Sequence, residues 1–169
     1  MDIGKKVLKD IKSRKLDLCE SYTERIKTSK NYGLLCAMFF KGDDWALRNN
    51  FPGLDLLRIH KEGIQKHHLM VDSEGDFLNL QKVAFFGLSK NRLFYDQYHV
   101  GSVTVRHDSK IIVSAKDNSI VYLTCLDNSD IDVEVKDSAK VTVFCIGEGV
   151  KIKSTGNIKV IKKNEFSTL

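Results

Sequence analysis

The sequence predicts an α+β chain in which N-terminal helices cap a short β-solenoid with two-strand coils and ten residues in each strand-turn unit. Three observations support this prediction. The spacing of apolar residues changes from about 3.6 to 2 near residue 62. A ten-residue pattern repeats over residues 110–149, and turn-forming residues recur with the same period. We therefore predict a helical region over residues 1–62 and a solenoid-like repeat domain over residues 63–169.

Two helical segments are predicted before residue 42. Up to about residue 27, apolar residues recur three, four or seven apart, with Asp2 as the N-cap. The apolar stripe loses its phase near residues 13–17, so this segment forms one kinked helix or two. The next segment, "NYGLLCAMFF", is apolar nearly all round, which favours a buried helix over a strand.

Two shorter helices are predicted next. The stretch "GDDWALRNNFPG" has Asp43 as a candidate N-cap and Pro52 as a stop. The stretch "LDLLRIHKEG" predicts a last short helix that ends at Gly63. After Gly63, short runs of β-forming residues alternate with Asp, Ser, Gly and Asn, which predicts strands and turns.

The repeat consists of four consecutive units, "KIIVSAKDNS", "IVYLTCLDNS", "DIDVEVKDSA" and "KVTVFCIGEG". Each unit has three apolar residues at alternate positions, which places them on one face of a strand. The predicted inward residues are Ile111, Val113 and Ala115; Val121, Leu123 and Cys125; Ile131, Val133 and Val135; and Val141, Val143 and Cys145. With two units in a coil, Cys125 stacks on Cys145 and Ala115 on Val135. An antiparallel β meander or sandwich is the alternative fold, because the same turns also close hairpins.

The Asp and Asn residues of the turns are expected to cap their own corners. The glycine-rich GGxGxD turn of calcium-binding repeats is absent from the sequence. The solenoid has two open ends, and we expect the helices to cover one of them. Lysines are expected to protect the other end, within "VKIKSTGNIKVIKKN".

Composition narrows the class of protein. Hydrophobic residues make up 42% and charged residues 29% of the 169 residues, values typical of a globular chain. The amino end lacks the uninterrupted apolar core of a signal peptide, and the run "YGLLCAMFF" is too short to cross a bilayer. We therefore expect a cytoplasmic protein. The four cysteines, at positions 19, 36, 125 and 145, lack metal-binding spacing and are expected to be buried free thiols.

Two sets of residues are candidates for binding. The formal net charge is only +5, but basic residues cluster in the first helix and at the carboxyl end. This possible basic surface comprises Lys5, Lys6, Lys9, Lys12, Arg14, Lys15, Lys151, Lys153, Lys159, Lys162 and Lys163. The possible protein-interaction residues are the aromatics Trp45, Phe94, Tyr95 and Tyr98. Large aromatics are core when buried and mark interfaces when exposed, and core at the junction of helices and solenoid is the favoured interpretation.

No catalytic, cofactor-binding or metal-binding residue is predicted. The residues of "HDS" at positions 107–109 are adjacent in one turn and do not form the chain of contacts of a hydrolase triad. His67 and His68 are expected to point to opposite faces of a strand, the wrong arrangement for sharing a metal. The outward carboxylates Asp132 and Glu134 offer slender support for a polysaccharide-degrading enzyme.

The segment "YGLLCAMFFKGDDWALRNNFPGLDLLRIHKEGI", followed by the repeat, resembles small uncharacterised proteins of phages and mobile elements of gut Bacteroidetes. The resemblance rests on Phe51, Pro52, Leu54 and Asp55 together with the ten-residue pattern. It implies a virion-associated or host-interacting protein that self-associates, and it implies no activity. We expect a non-enzymatic structural or protein-interaction module. The alternative is a nucleic-acid-binding protein or host-defence inhibitor that uses the basic surfaces.

Overall fold

The computed structural model describes residues 3–164 of the chain and forms two compact units, Met1–His68 and Leu69–Leu169. The division lies six residues after the one expected at residue 62, because one more helical turn follows Gly63. That the helices cap one end of the solenoid stays a prediction. Asp2, the expected first N-cap, lies outside the described residues.

The described part of the first unit contains six short helices. They are α1 (Ile3–Ser13), α2 (Glu20–Thr28), α3 (Tyr32–Lys41), α4 (Asp43–Arg48), α5 (Leu54–Ile59) and α6 (Lys61–Gln65). The break near residues 13–17 separates α1 from α2, so the two-helix version of that prediction is confirmed. The buried residues Val7, Leu8 and Ile11 of α1 pack with Ile26 and Met38 in the core of this unit. The helix predicted for "NYGLLCAMFF" is α3, and it buries Cys36, Met38 and Phe39.

Three predictions for the helical unit are wrong in detail. Gly42, not Asp43, is the N-cap residue of α4, and the Oδ1 atom of Asp43 accepts a hydrogen bond from the Asp44 amide, 3.0 Å away. Gly63 does not end a helix but lies inside α6, where a Cβ atom would overlap the ring of Tyr32 on α3. Cys19 is exposed rather than buried, because it stands before the first turn of α2.

The second unit is a β-solenoid, with eleven strands up to residue 164. They are β1 (Leu69–Val71), β2 (Glu74–Leu78), β3 (Lys82–Phe86), β4 (Lys90–Tyr95), β5 (Val100–Val105), β6 (Lys110–Ala115), β7 (Ile120–Leu126), β8 (Asp130–Val135), β9 (Lys140–Ile146), β10 (Lys151–Thr155) and β11 (Ile158–Lys163). Odd-numbered strands form a six-stranded sheet and even-numbered strands form a five-stranded sheet. Every strand pair is parallel, which confirms the solenoid and excludes the antiparallel meander.

One coil takes twenty residues, so each strand pairs with the strand after next. Val103 pairs with Leu123, and Leu123 with Val143. The predicted stacks are confirmed, since Cys125 pairs with Cys145 and Ala115 with Val135. All the residues predicted to point inward are buried. The single core they form explains the alternation of the repeat, because each apolar residue lies between equivalent residues of adjacent coils.

The corners follow one geometry. A residue with left-handed backbone occurs every ten positions, at Gly87, Gln97, His107, Asp117, Asp127, Asp137 and Gly147. Glycine, asparagine and aspartate tolerate this conformation better than most residues, which explains the turn chemistry of the sequence. Two positions later a buried serine commonly closes the turn; the hydroxyl of Ser119, for example, donates to the carbonyl oxygen of Lys116, 2.8 Å away.

Corner aspartates connect neighbouring coils. The carboxylate of Asp117 accepts a hydrogen bond from the amide of Gln97, which occupies the same corner position one coil earlier, at 2.9 Å. Asp127 does the same for His107, and Asp137 for Asp117, at 3.0 and 3.2 Å. The expectation that these aspartates cap their own corners is therefore wrong. Their carboxylates instead satisfy amides that the strand ladders leave unpaired.

Candidate protein-interaction surface

The structure separates the four aromatic candidates. Tyr95 is only 1% exposed, because its ring fills the space above Gly101 and its hydroxyl donates to the carbonyl oxygen of Leu80, 2.9 Å away. Trp45 is half-buried against the ring of Phe51. Its Nε1 atom donates to the carbonyl oxygen of Asp17, at 2.7 Å. Both side chains therefore serve the cores of their own units.

Phe94 and Tyr98 are exposed, but they lie on different parts of the coil. Phe94 points outward from β4, beside Leu78 of β2 in the five-stranded sheet. Tyr98 is 81% exposed on the corner between β4 and β5. The structure therefore does not gather the predicted aromatics into one site.

The basic residues of the first helix have different roles. Lys5, Lys9 and Lys12 are exposed along α1. Arg14 binds the end of α4 instead, donating from Nη2 to the carbonyl oxygens of Asn49 and Asn50 at 2.7 and 3.1 Å. Lys6 is partly buried. The pKa of His60 is lowered mainly by the burial of His60 itself, and the positive charge of Lys6 lowers it further. Lys15 is exposed just after the helix. The exposed part of this surface is therefore narrower than the sequence suggests.

The five lysines of the carboxyl end lie on the last strand of each sheet. Lys151 and Lys153 belong to β10, and Lys159, Lys162 and Lys163 belong to β11. This is the placement expected for charges that discourage edge-to-edge pairing. Four of the five are exposed, and Lys163 is half-buried.

An ion pair joins two coils at one corner. Arg106 is buried, and its guanidinium binds both carboxylate oxygens of Asp127, at 3.0 and 3.2 Å. Burial alone raises the pKa of Asp127, but the hydrogen bonds and charge of Arg106 and the amide of His107 outweigh it, so the pKa lies below its usual value. Arg106 is not among the candidate residues indicated by the sequence. Its only clue is that it interrupts an otherwise apolar series of equivalent corner positions, Phe86, Leu126 and Ile146.

The two sheets differ in charge. Within the described residues, none of the strands of the six-stranded sheet contains Asp or Glu, although those strands carry five lysines. The strands of the five-stranded sheet carry five acidic and five basic residues. Four of these residues form ion pairs between neighbouring strands: Arg92 with Asp76 at 2.6 Å, and Lys153 with Asp132 at 3.9 Å. The five-stranded sheet thus neutralises its own charge, and the six-stranded sheet does not.

The outer side of the six-stranded sheet presents an uncharged centre with lysines around it. In one ladder Tyr122 pairs with Ser102 on one side and Thr142 on the other, and the ladder ends in Lys82 and Lys159. A second ladder contains Val100, Ile120 and Lys140. Val100 is 51% and Tyr122 is 45% exposed. We call these residues the Tyr122 face: Lys82, Val100, Ser102, Ile120, Tyr122, Lys140, Thr142 and Lys159.

Sequence reasoning missed this face because it followed only the inward positions of each unit. The outward positions carried the information. In "IVYLTCLDNS" and "KVTVFCIGEG" they hold no carboxylate, whereas "DIDVEVKDSA" has three. Because a coil takes two units, alternate units lie in the same sheet, and comparing alternate units would have revealed the sheet without carboxylates.

The other candidates for chemistry are dispersed. In the part of the chain that the structure describes, no three His, Cys, Asp or Glu side chains come together as a metal site. His67 and His68 follow α6 and precede β1, so the prediction that they lie on a strand is wrong. Glu134 pairs with Lys136 at 3.0 Å and, like Asp132, lies on the outer side of the five-stranded sheet.

In comparisons with known proteins, no protein family, curated protein or solved structure matches the chain. Among residues 3–164, none of the helices has the length and apolar character needed to cross a membrane.

Proposed function

We propose that the chain is a non-enzymatic protein-interaction module that binds its partner through the Tyr122 face. The observation that carries the proposal is the uncharged centre on a regular parallel sheet, formed by the exposed Val100 and Tyr122 with the half-buried Ile120 between their ladders. Protein interfaces typically have charged residues depleted at their centre, with aromatic residues such as tyrosine as anchors. The lysines at the margin match the polar rim of such an interface.

The strands beneath this face make it rigid. Val121, Leu123, Val141 and Val143 point inward from β7 and β9 and have almost no exposed surface. Their packing holds the outward residues in fixed ladders before any partner arrives. Binding to a preformed surface loses less conformational entropy than binding to a mobile loop, which favours recognition by a flat face of this kind.

The geometry also favours binding over catalysis. Outward side chains on a parallel sheet stand side by side and do not converge on one reacting atom. The resemblance to proteins of phages and mobile elements extends the proposal to a virion-associated or host-interacting role. That origin stays a prediction.

A nucleic-acid-binding function is the second candidate, and the same sheet supports it. Five lysines without a carboxylate attract phosphates, and a tyrosine stacks on bases. Single-strand binding surfaces usually place several aromatics in series, whereas Tyr122 is the aromatic at the centre of the face. A protein partner is therefore favoured over nucleic acid for this face.

Site-specific photo-cross-linking in cells that carry the gene tests the proposal. A photo-reactive phenylalanine analogue at position 122 is expected to capture one protein in a saturable way. The same analogue at position 112 is the matched control, because Ile112 is 47% exposed at the centre of the other sheet. Capture at 122 should disappear when Val100 is changed to Asp. Equal capture at both positions, or capture at 122 that survives Val100→Asp, would contradict the proposal.

A further inference from the structure

We propose that the partner of the Tyr122 face is an acidic protein segment in which carboxylates flank an apolar group. This inference rests on the proposed function and adds the chemistry of the partner. It follows from three features of the face: unneutralised lysines, their positions around Tyr122, and the self-repulsion of two such faces.

The lysines of the face lack counter-charges. Among the described residues, Lys82, Lys140 and Lys159 form no ion pair with a carboxylate. Each is exposed. On the five-stranded sheet, by contrast, Arg92 and Lys153 form ion pairs with acidic residues of neighbouring strands. The other three strand lysines of that sheet have a carboxylate next to them in their ladder, since Glu74 is the register partner of Lys90, and Asp130 that of Lys110 and Lys151. A charge that the chain itself leaves uncompensated is available to steer and orient an oppositely charged partner.

The positions of the lysines define a spacing for the partner. Lys82 and Lys159 are four strand steps apart in one ladder, or about 19 Å at the usual distance between strands. Tyr122 lies midway, about 10 Å from each. A complementary segment therefore carries acidic groups about 19 Å apart, with an apolar group between them. That distance corresponds to about 13 residues of α-helix or about six residues of extended chain.

A second copy of the chain fits this face poorly. A twofold interface places the same surface on both sides, so lysines would meet a surface whose strands carry no carboxylate. Like charges brought together across an interface oppose association. An acidic partner turns the same lysines into favourable rim contacts.

Selection from a phage-displayed library of random 16-residue peptides tests the inference. The wild-type chain is the bait, and selected peptides are resynthesised for affinity measurements. We expect peptides rich in Asp and Glu around an aromatic or aliphatic residue, with affinities that fall as salt rises. The triple variant Lys82→Glu, Lys140→Glu, Lys159→Glu should bind them at least tenfold more weakly.

A matched control lies on the other sheet. Lys90, Lys110 and Lys151 share a ladder on the five-stranded sheet, and changing all three to Glu alters the net charge equally. This control should change affinity less than threefold. Thermal melts of both triple variants establish that each is folded. A second variant, Tyr122→Ala with Val100→Ala, tests the apolar centre without changing charge.

The possible outcomes separate the two proposals. Neutral or basic peptides that depend on Tyr122 and Val100 would overturn the acidic partner and leave the proposed function standing. Peptides unaffected by any variant of the Tyr122 face would overturn both. A single-stranded 20-nucleotide oligonucleotide that binds more tightly than every peptide, and is lost in the lysine variant, would overturn both in favour of nucleic acid. Failure of the selection to yield any binder would also count against both.

Discussion

Single residues differ in reactivity according to where the fold places them, and the cysteines show this most directly. Cys19 is exposed, and hydrogen bonds from the Ser21 hydroxyl and the Tyr22 amide lower the pKa of its thiol. Burial raises the pKa of Cys36 to about 12, and it also raises the pKa of Cys125 and of Cys145. The thiolate is the nucleophile, so only Cys19 combines access with reactivity.

Alkylation should therefore be selective. We expect iodoacetamide at neutral pH to modify Cys19 at least tenfold faster than the other three cysteines. Mass spectrometry of timed digests measures this, with Cys19→Ser as the control that should remove the fast phase. Fast modification of Cys125 or Cys145 would mean that the solenoid core opens in solution.

The ion pair of Arg106 and Asp127 should make the stability of the folded chain depend on pH in the acidic range. The pKa of Asp127 is lowered in the folded state, so the folded carboxyl binds protons less readily than the unfolded one. Its contribution to stability is complete above the usual pKa of aspartate, about 4, and is lost as the pH falls through the folded value. Denaturant unfolding across acidic pH should show a loss of stability that Asp127→Asn reduces.

The two halves of this pair should respond unequally to mutation. Asp127→Asn leaves the buried guanidinium of Arg106 without its counter-charge. It should cost about 1–3 kcal/mol at pH 7, less than a fully buried pair, because the Asp127 side chain is 36% exposed. Arg106→Leu matches Leu126 at the equivalent corner of the next coil and should change stability by less than about 1 kcal/mol. Denaturant melts of both variants measure the difference, and a larger loss for Arg106→Leu would refute this account.

At the scale of elements, Gly63 shows how a helix contact depends on one missing side chain. In an exposed helix, alanine is preferred over glycine by about 1 kcal/mol. In α6 a Cβ atom at position 63 would overlap the ring of Tyr32, whose hydroxyl lies 2.9 Å from Nδ1 of His60. The sequence predicted a helix end here because glycine commonly ends helices. The close approach of α3 is a tertiary contact that no local pattern reveals.

We therefore expect Gly63→Ala to destabilise the helical unit. Overpacking of this kind typically costs about 1–3 kcal/mol, which exceeds the gain in helix propensity. Combining it with Tyr32→Ala should bring the free energy of unfolding closer to that of Tyr32→Ala alone. Stabilisation by Gly63→Ala alone would show that α6 and α3 separate easily.

The strands were more predictable than the helices, for a physical reason. An apolar residue at an inward position recurs twenty residues later in the chain. The prediction that Val121, Leu123 and Cys125 point inward is therefore supported by the same pattern at 141, 143 and 145. Helix caps have no such redundancy. Asn31 caps α3 by accepting a hydrogen bond from the Leu34 amide at 2.8 Å, and nothing else in the sequence marks it. Arg106 was missed because it departs from the repeat, and Tyr122 because the repeat constrains only the inward positions.

At the scale of the whole molecule, the coil rather than the strand-turn unit is the repeating structure. Consecutive units alternate between sheets, and their corner aspartates bond to residues twenty positions earlier. A second copy of residues 110–129 inserted after Ser129 should therefore fold with every ladder in register. A second copy of residues 110–119 alone should move all later strands to the opposite sheet.

Circular dichroism and urea unfolding distinguish these two insertions. The longer insertion should keep a single transition with a steeper denaturant dependence, because more surface is buried. Inserted at the same point, the shorter copy leaves Asp127 beside Arg106 but makes β8 pair with β7 in place of β6. It should lower stability, because side chains that do not stack in the native coil are then packed together. Equal behaviour of the two insertions would show that the sheets are interchangeable.

The difference in charge between the two sheets also bears on how such a chain can change its length during evolution. A duplication of one ten-residue unit preserves the alternation that builds the core, so it looks harmless in sequence. It nevertheless moves every later strand to the other sheet, so that strands with carboxylates enter the carboxylate-free sheet. This breaks up the Tyr122 face. If that face is under selection, relatives should gain and lose length in steps of a full coil, twice the period that the sequence displays.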